Sequence, residues 1–139
     1  ILIGERTAEE IKCQVGSVMP LKEEVIIEVK GRDLVAGIPK ITEVSSIEIR
    51  ESLNAPVTAM IEAVKVALEK TAPELSSDLL DRGIFLTGGG ALIKGVDERM
   101  RTETGVPVYV AEDPLTAVAR GTGKVLEDLD YYKKVLLRR

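Results

Sequence analysis

The sequence predicts an α/β chain, with a parallel β-α-β-α unit joined to a smaller α+β part that carries a hairpin. Three observations carry this prediction. Two short runs of strand-forming residues, IFLT at 84–87 and PVYV at 107–110, flank a helix-length segment, an order that calls for parallel strands with a right-handed crossover. Two β-branched runs, 24–30 and 40–45, flank Gly31, Asp33, Gly37 and Pro39, the composition of a hairpin turn region. Elsewhere the apolar residues recur at helical spacing. Two parallel strands make a poor sheet, because both faces must be covered and both edges paired or protected. The chain therefore reads as half of an α/β domain, with the remaining strands expected upstream of Ile1. Its start, Ile-Leu-Ile-Gly without methionine, reads as a cut inside a longer protein.

The elements follow in order. RTAEEIKCQVG predicts a helix with Thr7 as N-cap, Glu10 in capping-box position, Ala8, Ile11 and Val15 on one face, and Gly16 as its stop. After the hairpin, Ser45 and Glu48 again have capping-box spacing. Pro56 either begins a new helix or sits inside a continuing one, and Val57, Met60, Ile61, Val64 and Leu68 form an apolar stripe beyond it. APELSSDLLDRG predicts a shorter helix with Pro73 in its first turn and Gly83 just past its end. A helix is expected to run from the glycines after IFLT to near Gly105. Asp113-Pro114 is expected to cap a long final helix with Leu115, Val118, Thr122, Val125, Leu126 and Leu129 on one side.

Composition narrows the chemistry. The 139 residues suit one ordinary domain or two small ones, with 45% apolar and 30% charged residues. Aromatics are few and the formal charge is −4, so the chain has neither the stacking platforms nor the basic footprint of a nucleic-acid reader. It contains no histidine, which removes Ser-His triads and most zinc and iron sites. Its one cysteine, Cys13, rules out an internal disulfide framework, sits inside the expected first helix as a small apolar residue, and points to a reduced intracellular setting. No run approaches the roughly 20 apolar residues of a membrane span. Acidic pairs such as Glu23-Glu24 and Glu112-Asp113 read as polar turns and helix starts, and Ser45, Ser46, Ser76 and Ser77 as caps and helix-surface residues.

The densest signal is FLTGGGALIKG, residues 85–95. Glycines at the end of a parallel strand remove the Cβ atoms that would hold a flat ligand off the backbone, and a following helix N-terminus offers amide donors. Gly88, Gly89 and Gly90 therefore read either as part of a nucleotide site or as a compact strand-to-helix connection. The spacing is neither that of a dinucleotide fingerprint nor that of a P-loop. Glu9 and Lys12 are spaced to share a helical face distinct from the apolar stripe, as a solvated ion pair or as ligand contacts.

Taken together, GERTAEEIK, PELSSDLLDRGIFLTGGGAL, ETGVPV and EDPLTAVARGTGKVLE resemble the C-terminal part of the MreB family of bacterial actin-like cell-shape proteins. The resemblance runs over nearly the whole chain and is weakest around residues 18–45. It implies half of an actin-like (ribonuclease H-like) ATPase fold, in which residues 1–48 would be a IIB-like small subdomain. Residues 49–117 would be part of IIA, and 118–139 a helix packing on subdomain IA.

The resemblance further implies ATP/ADP as ligand, with Glu9 and Lys12 at the ribose and adenine edge and Gly88, Gly89, Gly90, Ala91 and Leu92 as the opposite wall. The phosphate loops and the Mg2+-holding residues would belong to other parts of the protein, so this chain alone is not expected to hydrolyse ATP. Implied partners are further copies in filaments and other cell-shape and cell-wall elongation proteins, with a cytoplasmic, membrane-associated location. The alternative is an Hsp70-like chaperone or a sugar or acetate kinase of the same superfamily. The tail YYKKVLLRR sets Tyr131, Tyr132, Val135, Leu136 and Leu137 among cations, either against an anionic membrane or against IA.

Overall fold

A computed structural model of the chain describes residues 1–133. The tail positions Val135, Leu136 and Leu137 lie outside the described residues. In order, the elements are α1 (Glu5–Val15), β1 (Ile26–Arg32), β2 (Pro39–Ser45), α2 (Ser46–Glu69), α3 (Pro73–Arg82) and β3 (Ile84–Leu86). A 3₁₀ turn (Gly89–Leu92), α4 (Val96–Thr104), β4 (Val108–Val110), α5 (Ala117–Glu127) and α6 (Leu129–Tyr132) follow.

The strands form two separate pairs. β1 and β2 are antiparallel, with Ile26 opposite Ser45 and Arg32 opposite Pro39; β3 and β4 are parallel, with Ile84 opposite Val108. Both pairings are those the sequence predicts. Leu2 adds an antiparallel bridge to Arg32 at the edge of the hairpin.

Each pair has its own core. Ile11 and Val15 of α1 pack with Val29 of the hairpin, joined by Ile3, Ile27, Val44 and Ile49. Val57, Ile61, Val96, Met100 and Val108 form the other core with Val18, joined by Leu53, Ile84, Leu86 and Ile93. One helix serves both: α2 runs through Pro56 without a break and places Ile49 in the first core and Val57 and Ile61 in the second. Its start carries the expected capping box, Ser45 accepting from the Glu48 amide and Glu48 accepting from the Ser45 amide.

Helix boundaries differ from the sequence prediction in four places. Helix α1 starts at Glu5 with Gly4 as its N-cap and no side-chain cap, because Ala8 N–H already bonds to the Gly4 carbonyl at 3.0 Å. Thr7 thus lies inside the first turn, and Glu10 pairs with Arg6 at 3.1 Å instead. The segment after the glycines is not one helix. It closes a 3₁₀ turn, becomes extended at Ile93 and restarts as α4 at Val96. Asp113-Pro114 caps no helix: Asp113 has φ 47°, its carbonyl accepts from Thr116 N–H at 3.1 Å, and α5 begins only at Ala117. At Asp128 the expected long helix is interrupted, and the Asp128 side chain caps α6 through Tyr131 N–H at 3.2 Å.

Two polar devices join the parts. Arg50 on α2 donates to both oxygens of Glu24, at 2.6 and 2.7 Å, and through Nε to the Met19 carbonyl at 3.1 Å. Ser46, fully buried, donates to Glu24 at 2.5 Å and accepts from Val25 N–H at 2.9 Å. The Ser46 hydroxyl, then Arg50, hold the Glu24 carboxyl below the usual carboxylate range. Glu24 and Ser46 are thus tied into one network rather than lying in a loose polar turn and on a helix surface. The second device is a strap at the end of α1. Val18 N–H bonds to the Lys94 carbonyl at 2.9 Å, and Lys94 Nζ reaches the Gln14 carbonyl at 3.2 Å.

The hairpin turn is organised by Asp33, whose side chain accepts from Ala36 and Val35 N–H and from Lys40. These bonds, the backbone ones first, lower its pKa from 3.8 to about 2. A folded-state pKa below the unfolded one gives stability that is present above pH 3.8 and lost as pH falls toward 2. Asp33→Asn is therefore expected to flatten the dependence of the thermal midpoint on pH in that acid window. An unchanged acid limb would show that the turn bonds contribute nothing to stability.

Candidate functional site

The C-terminal half of α1 faces the glycine turn across a cleft of about 430 Å³. Glu9, Lys12, Cys13 and Gly16 line one side, and Gly89, Gly90, Leu92, Ile93 and Leu115 the other. The volume lies in the range of about 300–1,000 Å³ usual for small-molecule sites. Two segments some eighty residues apart in sequence are brought face to face because Ile11 and Val15 anchor the opposite side of α1 in the hairpin core. Ala91 and Val96 likewise anchor the turn beneath it.

On the α1 side, Lys12 donates to Glu9 at 2.6 Å, which lowers the Glu9 pKa and raises that of Lys12. The Cys13 thiol approaches the other Glu9 oxygen at 3.7 Å. Both members of the pair remain solvent-accessible, with side chains 61% and 38% exposed, so the bond is readily exchanged for one to a ligand. This edge of the cleft offers an acceptor and a cationic donor side by side.

On the opposite side the wall is apolar and low. A Cβ built on Gly90 would meet nothing within 4 Å, and one on Gly89 would come to 3.6 Å from Leu115. Gly88 has φ 79° and ψ 177°, a conformation essentially confined to glycine, and its N–H bonds to the Pro114 carbonyl at 2.8 Å. It shapes the turn without lining the cleft. Ala91 departs from expectation. It is 7% exposed and packs beneath the turn beside Met60, Leu86 and Met100, because the 3₁₀ geometry rotates it inward.

Of the seven residues singled out in the sequence, Glu9, Lys12, Gly89, Gly90 and Leu92 therefore line one cleft, while Gly88 and Ala91 support it. Cys13, Gly16, Ile93 and Leu115 are lining residues that the sequence reading missed. Cys13 follows Lys12 on α1 and was legible only as a small apolar residue. Leu115 read as the first position of a helical stripe that in fact starts later.

A second hollow of about 400 Å³ lies between α1 and α2, with Ile3, Ala8, Ile11, Ile49 and Leu53 among its walls. It shares Glu9 and Lys12, adds Glu5 and Ser52 to an otherwise apolar lining, and has no glycine turn. Among the described residues, no three His, Cys, Asp or Glu side chains gather as a cation cage, and no helix is long and apolar enough to cross a membrane.

Comparison with known proteins agrees with this architecture. The family model described as MreB/Mbl protein matches residues 1–134. The cell shape-determining protein MreB of Escherichia coli (strain K12) is 53% identical over 131 residues, covering 94% of this chain and 38% of that protein. The cell shape-determining protein Mbl of Bacillus cereus (strain ATCC 10987 / NRS 248) is 48% identical over 138 residues, covering 99% and 41% respectively. The crystal structure of MreB5 of Spiroplasma citri bound to ADP superposes with a TM-score of 0.90 at 35% identity, over 96% of this chain and 41% of that one. The MamK double helical filament shares the fold alone, with a TM-score of 0.70 at 24% identity over 91% of this chain and 38% of that one. The fold is thus actin-like, and the chain spans about two fifths of the length of the curated relatives it matches. The family match sets aside the chaperone and kinase alternatives. By sequence and by structure, the chain belongs to the MreB/Mbl family.

Proposed function

We propose that this chain supplies the adenosine side of an ATP/ADP cleft in an actin-like protein that assembles into filaments and maintains cell shape. The observation that carries the reading is the convergence of Glu9 and Lys12 with Gly89, Gly90 and Leu92 around one cleft of ligand size. The donor-acceptor pair suits the polar edge of a base and its ribose, and the Cβ-free turn suits the flat face of the ring. MreB5 of Spiroplasma citri, 35% identical, has structures bound to ADP and to AMPPNP.

In this reading residues 1–48 form a IIB-like lobe, 49–117 part of IIA, and 118–139 a segment directed toward IA. Mg2+ and the phosphates are held by parts of the protein outside this chain, which is why hydrolysis is assigned to the intact protein alone. Self-association into filaments, contact with cell-wall elongation proteins and a cytoplasmic, membrane-associated location belong to the same proposal. They rest on the family's cell-shape role.

Cys13 allows a direct test, since it is exposed, lines the cleft and is the one cysteine in these residues. In the intact protein, ADP at ten times its dissociation constant is expected to slow alkylation of Cys13 about tenfold, read by mass spectrometry of its peptide. Identical labelling rates with and without saturating ADP would place the nucleotide elsewhere.

A further inference from the structure

Two arginines meet at a hollow that the nucleotide reading leaves unused. It measures about 380 Å³, shares none of the lining residues of the cleft, and is walled by Val18, Met19, Arg50, Glu51, Asn54 and Arg99. Arg50 and Asn54 are spaced i, i+4 and so share one face of α2, Arg99 stands on α4, and Val18 and Met19 belong to the link that follows α1. Each guanidinium is held in place by part of its donor set. Arg50 uses Nε on the Ser17 hydroxyl and the Met19 carbonyl, and Nη2 on Glu24. Arg99 uses Nε on Glu103 at 3.0 Å and Nη2 on the Thr58 hydroxyl at 2.8 Å. A guanidinium carries more N–H donors than these bonds use. Among the described residues, neither Nη1 group nor the exposed Asn54 amide has a hydrogen-bond partner. No side-chain nitrogen among those residues is both buried and unpaired, so both Nη1 groups reach solvent.

We infer that this hollow binds a small organic monoanion, a carboxylate carried on a short aliphatic body. The unengaged donors of Arg50, Arg99 and Asn54 meet the carboxylate, and bonds from guanidinium to carboxylate are charge-assisted, roughly twice as strong as neutral ones. The two arginine side chains are only 18% and 16% exposed and already fixed by their structural bonds, so little rotamer freedom remains to be lost on binding. Val18, buried, and Met19, half-buried, form an apolar floor on which the methylene groups of the ligand leave water. Glu51 limits the charge. It is exposed, has no hydrogen-bond partner among the described residues and stands at the same hollow, while Glu24 and Glu103 already offset part of the charge of the two guanidiniums. A second negative group on the ligand would therefore meet repulsion.

The test is NMR of the intact protein labelled at its methionine methyl groups, with ADP in excess throughout. The Met19 signal is identified by its loss in Met19→Leu. Hexanoate is expected to shift that signal saturably and to bind roughly tenfold more tightly than acetate, as several methylene groups are buried. Hexylamine, the same body with the opposite charge, is expected to leave the signal in place, and adipate, with a second carboxylate, to bind more weakly than hexanoate. Arg99→Gln is expected to weaken hexanoate about tenfold. Glu51→Gln, at an exposed position, is expected to strengthen it roughly threefold, an effect that a purely structural role for these side chains would not give. Thermal melting checks the fold of each variant. If loss of the Thr58 and Glu103 bonds unfolds Arg99→Gln, Glu51→Gln decides alone. No saturable shift with hexanoate, an equal shift with hexylamine, or a Glu51→Gln protein that binds hexanoate no more tightly than wild type overturns the inference.

Discussion

Replacing Gly83 with alanine is expected to lower folding stability by about 3 kcal/mol or more, as backbone strain and steric overlap add. Gly83 ends α3 with φ 74° and ψ −171°, where residues with a Cβ are strongly disfavoured. The space is also taken: a Cβ there would lie 2.5 Å from the Pro107 carbonyl oxygen and 2.8 Å from Tyr109 Cε2. The Pro107 oxygen cannot simply retreat, because it accepts the Ile84 N–H at 2.8 Å and so forms the first rung between β3 and β4. Disturbing that rung disturbs the strand that leads into the glycine turn. Gly121, inside α5 with open space around it, is the control. Alanine there is expected to raise stability by about 0.5–1 kcal/mol. Urea unfolding of the two variants beside wild type measures both effects. A wild-type midpoint for Gly83→Ala would mean that the β3–β4 junction is far softer than its geometry indicates.

Gly89→Val is expected to reduce ATP affinity roughly tenfold to a hundredfold, the equivalent of about 1–3 kcal/mol of overpacking. Gly89 does not have a positive φ, and its Cβ would sit at ordinary contact distance from Leu115, so the protein itself tolerates the side chain. The two methyl groups beyond that Cβ would then project from the glycine turn into the cleft faced by Glu9 and Lys12, where the base is proposed to lie. Gly88→Val separates strain from steric blocking: its positive φ makes it a folding defect, visible in the melting curve, whereas Gly89→Val melts like wild type and binds poorly. A well-folded Gly89→Val protein with undiminished ATP affinity would make the glycines a structural turn and nothing more.

Much of this architecture was readable from local signals. The capping box at Ser45 and Glu48, the helix end at Gly83 and the buried positions Val57 and Ile61 follow from periodicity or turn chemistry within a few residues, the hairpin pairing from its turn composition, and the parallel pairing from the order of strand, helix and strand. The mistakes have a common physical cause, in that local preference was outweighed by contacts distant in sequence. Asp113-Pro114 has the composition of a helix start, yet the bond from Gly88 to Pro114 holds the segment as a turn. The run after the glycines has helical composition, yet Lys94 is drawn out to bridge Ser17, and the helix begins only beyond it.

The site was legible to the same degree. Glu9 and Lys12 share a helical face by spacing alone, and the glycines stand out by type, but nothing local marks Leu115 or Cys13 as their neighbours. The orientation of Ala91 depends on a turn of 3₁₀ rather than α pitch, which the sequence GGGALIKG does not specify. The Glu24–Arg50 bond, between residues 26 apart, has no periodic signature either.

The strap between Val18 and Lys94 sets the mechanics of the cleft. It pins the two walls together at one end, close to Gly16, so the walls meet like the covers of a book bound along that edge. Glu9 stands seven residues up α1 from this spine, about 10 Å at the helical rise. A tilt of α1 by only about 5° would then displace Glu9 by roughly 1 Å while leaving Gly16 almost still. That is the difference between a made and a broken hydrogen bond. The polar edge of the cleft is thus its most sensitive gauge of lobe orientation, and the bound edge its least.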